Sequence, residues 1–249
     1  MKVVIFGAGL IGSQLAARLG EQGHQVDALG REDGIDTTTG KGVADAVKGA
    51  DVVVDLTNSP SWAGDDVLAF FRDSTAHLVA AEERAGVGHH VILSIVGADR
   101  LTESGYMRAK LAQEAGVAAG GVPFTIVRST QFFEFIAGIA DAGTEDGTVR
   151  ATPATLQPIA SRDVVTHLAE VVTGAPVNGT LEIAGPEALG IDELIRREFR
   201  ATGDTRTVVP DPQAGYFGAV LDDAALVATP GAGAWIAPTT LDEWLRDRD

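Results

Sequence analysis

The sequence predicts an α/β protein organised as a doubly wound parallel sheet, and three observations carry that reading. Short β-branched runs alternate with helix-like segments as far as residue 127. The runs are continuously apolar, as in strands covered on both faces. The first of them opens into its helix through Gly7-Ala8-Gly9-Leu10-Ile11-Gly12. At 249 residues the chain is near the upper size for one hydrophobic core, so one domain, or one with a small appendage, is expected.

Residues 2–6 read as a strand, 10–19 as a helix and 25–29 as a second strand. A helix over 42–47 precedes the strand 51–56, whose Val52, Val53 and Val54 suit burial on both faces. Residues 65–85 form a long amphipathic helix, with Val67, Leu68, Phe71, Leu78 and Val79 near helical spacing. The adjacent His89 and His90 read as the loop before the strand 91–96, followed by a helix over 106–118 and a strand over 124–127. Beyond Arg128 the pattern loosens. Helices are expected over 130–140, rich in aromatics, over 163–172, over 191–201, capped at its own Asp192 turn, and over 239–248. A strand over 180–184 ends at Gly185-Pro186, and the Gly-, Pro- and Ala-rich stretch 202–238 gives no assignment.

Charge and composition exclude several functions. Nineteen Lys and Arg stand against 35 Asp and Glu, a net charge of −16, which argues against nucleic acid or an anionic membrane surface as partner. The chain has no cysteine, hence no disulfide, thiolate nucleophile or Cys-ligated metal. The histidines at 24, 77, 89, 90 and 167 are scattered without ligand spacing, so no metal is expected. No Gly-x-Ser-x-Gly elbow marks a serine hydrolase. No apolar run approaches the roughly 20 residues of a spanning helix, and the apolar N-terminus reads as a strand running into a helix, so a cytoplasmic location is expected. The acidity is regional: residues 1–31 sum to +1, and it is there that a phosphate site is sought.

Each glycine of the turn has a physical use: Gly7 for the tight bend, Gly9 for close approach of a pyrophosphate to the backbone, Gly12 for helix–strand packing. The free N–H groups and positive dipole end at Leu10 and Ile11 then face the phosphates of a dinucleotide. About 20 residues on, where an acid would hold the ribose of NAD, the chain reads Leu29-Gly30-Arg31-Glu32. Arg31 can pair a 2′-phosphate bidentately, so NADP(H) is preferred, with NAD(H) the alternative should Glu32 take the ribose. Thr57 and Asn58, in the polar turn after the strand 51–56, stand where a cofactor's ribose or phosphates would pass.

Tyr106 and Lys110 are four apart on one helical face. With two tyrosines and four lysines in the chain, such a pair arises by chance in only about three compositions per hundred. A phenol near pKa 10 becomes a useful acid beside a cation, so Tyr106 would protonate a developing alkoxide, Lys110 would support it and bind the nicotinamide ribose, and Ser94 would hydrogen-bond the same oxygen.

On these residues the sequence resembles the short-chain dehydrogenase/reductases, specifically their atypical NmrA-like NAD(P)H-binding branch. The resemblance spans the glycine turn, residues 51–60, Ser94, Tyr106-xxx-Lys110, residues 121–128 running into Phe132-Phe133, and residues 179–186. It implies a Rossmann-type core over 1–155, a smaller substrate-binding region over 156–249, NADP(H), and Tyr106 with Lys110 as the catalytic pair. The chain departs from the superfamily in placing Ala8 where Thr-Gly is usual and Thr57-Asn58-Ser59 where Asn-Asn-Ala-Gly is usual. Phe132, Phe133 and Phe135 fall where the family forms its pocket, suggesting a small aromatic or quinone-like substrate. The expected activity is NADPH-dependent reduction of a carbonyl or quinone. The alternatives are a non-catalytic NADP(H) sensor, or an isomerase or cyclase on the same scaffold.

Overall fold

The computed structural model describes residues 1–61, 64–216, 220–223 and 225–247. Its elements begin with β1 (Lys2–Phe6), α1 (Leu10–Glu21), β2 (Gln25–Leu29), α2 (Val43–Ala46), β3 (Val52–Asp55), α3 (Gly64–Ala85), β4 (His89–Ile95), α4 (Gly105–Ala118) and β5 (Phe124–Ser129). They continue with α5 (Ile136–Ala142), β6 (Thr144–Glu145), β7 (Thr148–Ala151), β8 (Thr155–Leu156), α6 (Ser161–Thr173), β9 (Gly179–Ala184) and β10 (Leu189–Gly190). The last are α7 (Ile191–Thr202), β11 (Thr207–Pro210), β12 (Trp235–Ile236) and α8 (Leu241–Asp247).

Strand β1 shows why the sheet needs cover on both sides. Side chains alternate across a strand. Val3 and Ile5 therefore join one apolar layer with Leu15 and Leu19 of α1 and Val164 and Leu168 of α6. Val4 and Phe6 join the opposite layer with Val43 of α2 and Leu78 of α3. Seven parallel strands form this sheet in the order β2-β1-β3-β4-β5-β9-β12. The chain runs outward from β1 to β2 and returns across β1 to β3, so the order reverses there and a crevice opens at the carboxyl ends of the strands. A third apolar cluster lies outside the sheet and joins Phe133, Ile136, Leu156, Leu194, Phe199 and Trp244. Its helix α7 buries Ile191, Leu194, Ile195 and Phe199, one face at helical spacing.

Three sequence expectations are corrected, and one unassigned stretch is filled in. No single helix spans 130–140. Ile159 N–H donates to Gln131 O at 2.8 Å and Phe133 N–H to Ile159 O at 3.0 Å, so this backbone is held extended. A 3-10 turn (Phe133–Phe135) follows, and α5 begins at Ile136. His89 and His90 lie inside β4, opposite Val52 and Val53, and are buried. They are accommodated because His89 Nε2 meets Thr125 Oγ1 at 2.9 Å and His90 Nδ1 meets Glu82 Oε2 at 2.6 Å. Asp192 does not cap α7, whose N-cap is Gly190; its carboxylate accepts from Arg196 at 2.7 Å instead. The unassigned stretch 202–238 contributes β11, paired with β7, and β12 on the sheet edge beside β9. Arg248, the last residue of the expected closing helix, lies outside the described residues. Among the described residues no helix is long and apolar enough to cross a membrane.

Candidate active site

The glycine turn occupies the crevice where the strand order reverses. Gly7 has φ +104°, a left-handed conformation that a Cβ would strain, and that Cβ would stand 2.6 Å from Leu56 O. A Cβ on Gly12 would stand 1.9 Å from Gly7 O, so α1 can press against the turn only without a side chain there. Gly9 differs. A Cβ on it would meet nothing within 4 Å, and the residue lines the large cavity. No acid stands in the first turn of α1 and no side chain caps it, which leaves the N–H groups of Leu10 and Ile11 to a ligand. An open backbone cradle at a helix N-terminus suits the diphosphate of a dinucleotide. Arg31 begins the 3-10 turn after β2 and is exposed. Gly7 N–H donates to Leu29 O at 2.9 Å, which fixes the Arg31 segment beside the glycine turn.

Beside the cradle, the Asp55 carboxylate at the end of β3 shapes the next turn. Its Oδ1 accepts from Thr57 N at 2.9 Å and Thr57 Oγ1 at 2.6 Å. The following Asn58 accepts, through Oδ1, from the Tyr106 hydroxyl at 3.1 Å. Tyr106 lies in the first turn of α4, which Ser104 caps, and meets the Phe71 ring edge-on at 6.0 Å between centroids. Burial pushes the phenol up to about 12, against a smaller lowering by the Asn58 hydrogen bond.

Lys110, one turn further along α4, is buried. Its Nζ donates to Leu93 O at 2.9 Å and to Gln113 Oε1, and it lies 4.6 Å from the centre of the Phe71 ring. Burial pulls its pKa down to about 8, opposed by the charges of Asp55 and Glu114. Ser94 Oγ on β4 donates to Glu114 Oε1 at 2.5 Å. Glu114 is in turn gripped by Arg128 Nε at 2.9 Å and by a second guanidinium nitrogen at 2.7 Å.

One cavity of about 810 Å³ joins these groups. It is lined by Gly7, Gly9, Leu10, Ile11, Gly12, Thr57, Asn58, Ser94, Tyr106 and Lys110; of the sequence-predicted residues, Arg31 and Phe133 lie outside that lining. The rest of the lining comes from scattered elements and is mainly apolar: Phe132 and Phe135, Ile139 of α5, Ala151 of β7, Ile191 of α7 and Tyr216, with Gln131, Glu134, Arg150 and Thr152 as polar members. Phe132 and Phe135 stack at 5.4 Å, while Phe133 turns away into the outer core against Trp244. Sequence reasoning missed Asp55, Gln113 and Glu114. An aspartate at the end of a strand otherwise buried on both faces was the one available signal, since a buried carboxylate must find donors.

A family model described as NAD(P)H-binding matches residues 7–173. No curated protein matches the sequence. Among solved structures, a short-chain dehydrogenase/reductase superfamily protein from Agrobacterium tumefaciens with bound NAD superposes with a TM-score of 0.78 at 18% identity, covering 99% of this chain and 95% of that one. MoeE5 in complex with UDP-glucose and NAD gives 0.78 at 21% identity, covering 99% and 96%. An NADPH-dependent quinone oxidoreductase from Escherichia coli gives 0.68 at 18% identity, covering 98% of each chain. At these identities the likeness is one of fold.

Proposed function

The chain belongs to the NAD(P)H-binding family, and from that premise we propose that it is a reductase of short-chain dehydrogenase/reductase type, reducing a carbonyl or quinone-like small molecule with NADPH. The carrying observation is that one cavity runs from the open backbone at Gly9, past the Tyr106 phenol, to a wall of stacked phenylalanines. The dinucleotide, when bound, supplies the hydride. Gly7, Gly9, Leu10, Ile11 and Gly12 hold its phosphates, Arg31 holds the 2′-phosphate, and Thr57 and Asn58 flank its ribose. The segments around Phe132 and Tyr216, with α5, β7 and α7, close the substrate side.

Tyr106 gives its phenolic proton to the substrate oxygen, turning from Asn58 to do so. Burial holds the phenol up to about 12 and Lys110 does not lower it, which corrects the expected support by the cation; the proton stays on Tyr106 until the substrate oxygen takes it. Lys110 has three N–H donors and spends two on Leu93 and Gln113, leaving one for the ribose. Ser94 turns its hydroxyl from Glu114 to the substrate oxygen, and Glu114 keeps the Arg128 fork as partner. The aromatic wall supports a substrate with a flat apolar body, since pockets bury such ligands mainly by apolar contact.

The test is NADPH oxidation at 340 nm across a panel of quinones and aromatic carbonyls. Turnover with at least one, lost in Tyr106→Phe, is the expected result; tight NADPH binding with no oxidation across the panel overturns the reading. A second reading, a redox sensor that holds NADP(H) without turnover, is favoured by one observation: the protons of Tyr106 and Ser94 are both committed to side chains of the protein itself.

A further inference from the structure

The geometry points to Asp55 and Gln113 as positioning residues that fix the Lys110 ammonium and couple it to the turn carrying Asn58. This inference rests on the reading of Lys110 and Tyr106 as the working pair. Asp55, Gln113 and Lys110 are 1%, 1% and 3% exposed, so water cannot substitute for any bond among them. Asp55 Oδ2 accepts from Gln113 Nε2 at 2.8 Å. An ionised carboxylate can only accept, so the amide must present its nitrogen to Asp55 and its oxygen to Lys110. That is the observed arrangement, with Gln113 Oε1 on Lys110 Nζ. The amide thus works as a spacer: Asp55 orients Lys110 without taking its charge in a direct ion pair.

The same carboxylate governs the other partner. Asp55 Oδ1 holds both donors of Thr57, and the next residue, Asn58, accepts from the Tyr106 hydroxyl. One buried side chain at the end of β3 therefore reaches Lys110 through Gln113 and Tyr106 through the Thr57-Asn58 turn. The remaining groups around Lys110 are accounted for. Leu93 O faces it from β4 and the Phe71 ring from α3. Glu114 on its own helix is neutralised by Arg128 of β5. His90 of β4 shares the field of Asp55 but is held by Glu82. Asp55 is the stronger of the two charges, with Glu114, that support the ammonium against burial.

Two variants test this with a readout that needs no turnover. The chain has four lysines, so the Lys110 side-chain methylene signals can be followed individually by NMR against pH. In the wild type the Lys110 signals should titrate near pH 8. Asp55→Asn removes the carboxylate and lets Gln113 turn its NH₂ toward Lys110; Gln113→Leu removes the acceptor. Both should move the Lys110 titration down by about one unit or more, a tenfold fall in the ratio of ammonium to amine at a given pH. Both should also weaken NADPH binding at pH 7.5 about threefold, the fall in ammonium fraction there, and carry the alkaline limb of the turnover profile down with the titration. The inference is overturned if Lys110 in a folded variant titrates within about 0.3 unit of the wild type, whatever happens to thermal stability. It is also overturned if both variants fail to fold, which would assign the pair to the core. Titration shifts as stated in a chain that binds no NADPH would sink the functional reading and leave the relay standing.

Discussion

The two walls of the cavity are built by opposite means. The wall at the glycine turn is made of backbone and of polar side chains already bonded: Gly7 and Gly12 have no room for a side chain, Thr57 donates to Asp55, Tyr106 to Asn58 and Lys110 to Gln113. The facing wall is mainly apolar side chains from α5, β7, α7 and the segments around Phe132 and Tyr216, interrupted by Gln131, Glu134, Arg150 and Thr152. On the proposed function, the first recognises what is constant, a dinucleotide, through directional bonds fixed before it arrives. The second selects a substrate by shape and buried area, which tolerate replacement. Changes on the first wall should therefore be severe and specific, and changes on the second graded.

The largest effect is expected from Tyr106→Phe. Removing a positioned general acid should lower kcat by roughly 10²- to 10⁴-fold, with the NADPH dissociation constant within about twofold of the wild type. Equal loss of cofactor binding would place Tyr106 in the cofactor wall alone. Next come the glycines, which separate two roles within one wall. Gly12→Ala drives a Cβ to 1.9 Å from Gly7 O and should both lower Tm and weaken NADPH binding about 100-fold. Gly9→Ala adds its Cβ to open space, so Tm should hold while NADPH binding weakens about tenfold, read by fluorescence titration. A fall in Tm for Gly9→Ala would show that the cradle is part of the packing.

On the apolar wall, Phe135→Ala should raise KM for an aromatic substrate about three- to tenfold, in keeping with loss of a half-exposed ring, and leave NADPH affinity alone. The smallest effect on function is expected far from both walls. Burial drives His89 down to about 4. A base whose folded pKa is lowered contributes stability that is present above its unfolded value near 6.5 and is lost as pH falls from there toward 4. His89→Gln should therefore flatten the acid limb of urea stability between pH 6.5 and 4, on the order of 1–2 kcal/mol, without changing NADPH affinity at pH 7.5.

The unequal legibility of the walls in the sequence follows from the same contrast. Strands β1 and β3, the turn 7–12 and the Tyr106–Lys110 spacing are local patterns, and each stands where the sequence places it. Phe132 and Phe135 reach the cavity but Phe133 does not, because pairing of residues 131–133 with Ile159, 26 or more residues away, sets which rings face inward. The pair His89 and His90 misled for a related reason: polar residues favour loops on average, yet Thr125 and Glu82 supply buried partners that no local pattern reveals. The tight turn Asp146-Gly147, both at positive φ, did carry a local signal for the β6–β7 hairpin, since Asp-Gly favours such turns.

The most direct test of the central claim is parallel titration of the protein with NADPH and NADH, followed by tryptophan fluorescence, and addition of a quinone to the NADPH complex. The account predicts tighter binding of NADPH than of NADH, by about tenfold or more if Arg31 meets the 2′-phosphate, and oxidation of the bound cofactor on adding the acceptor. Binding of neither dinucleotide would contradict it outright, and preference for NADH would remove Arg31 from the site.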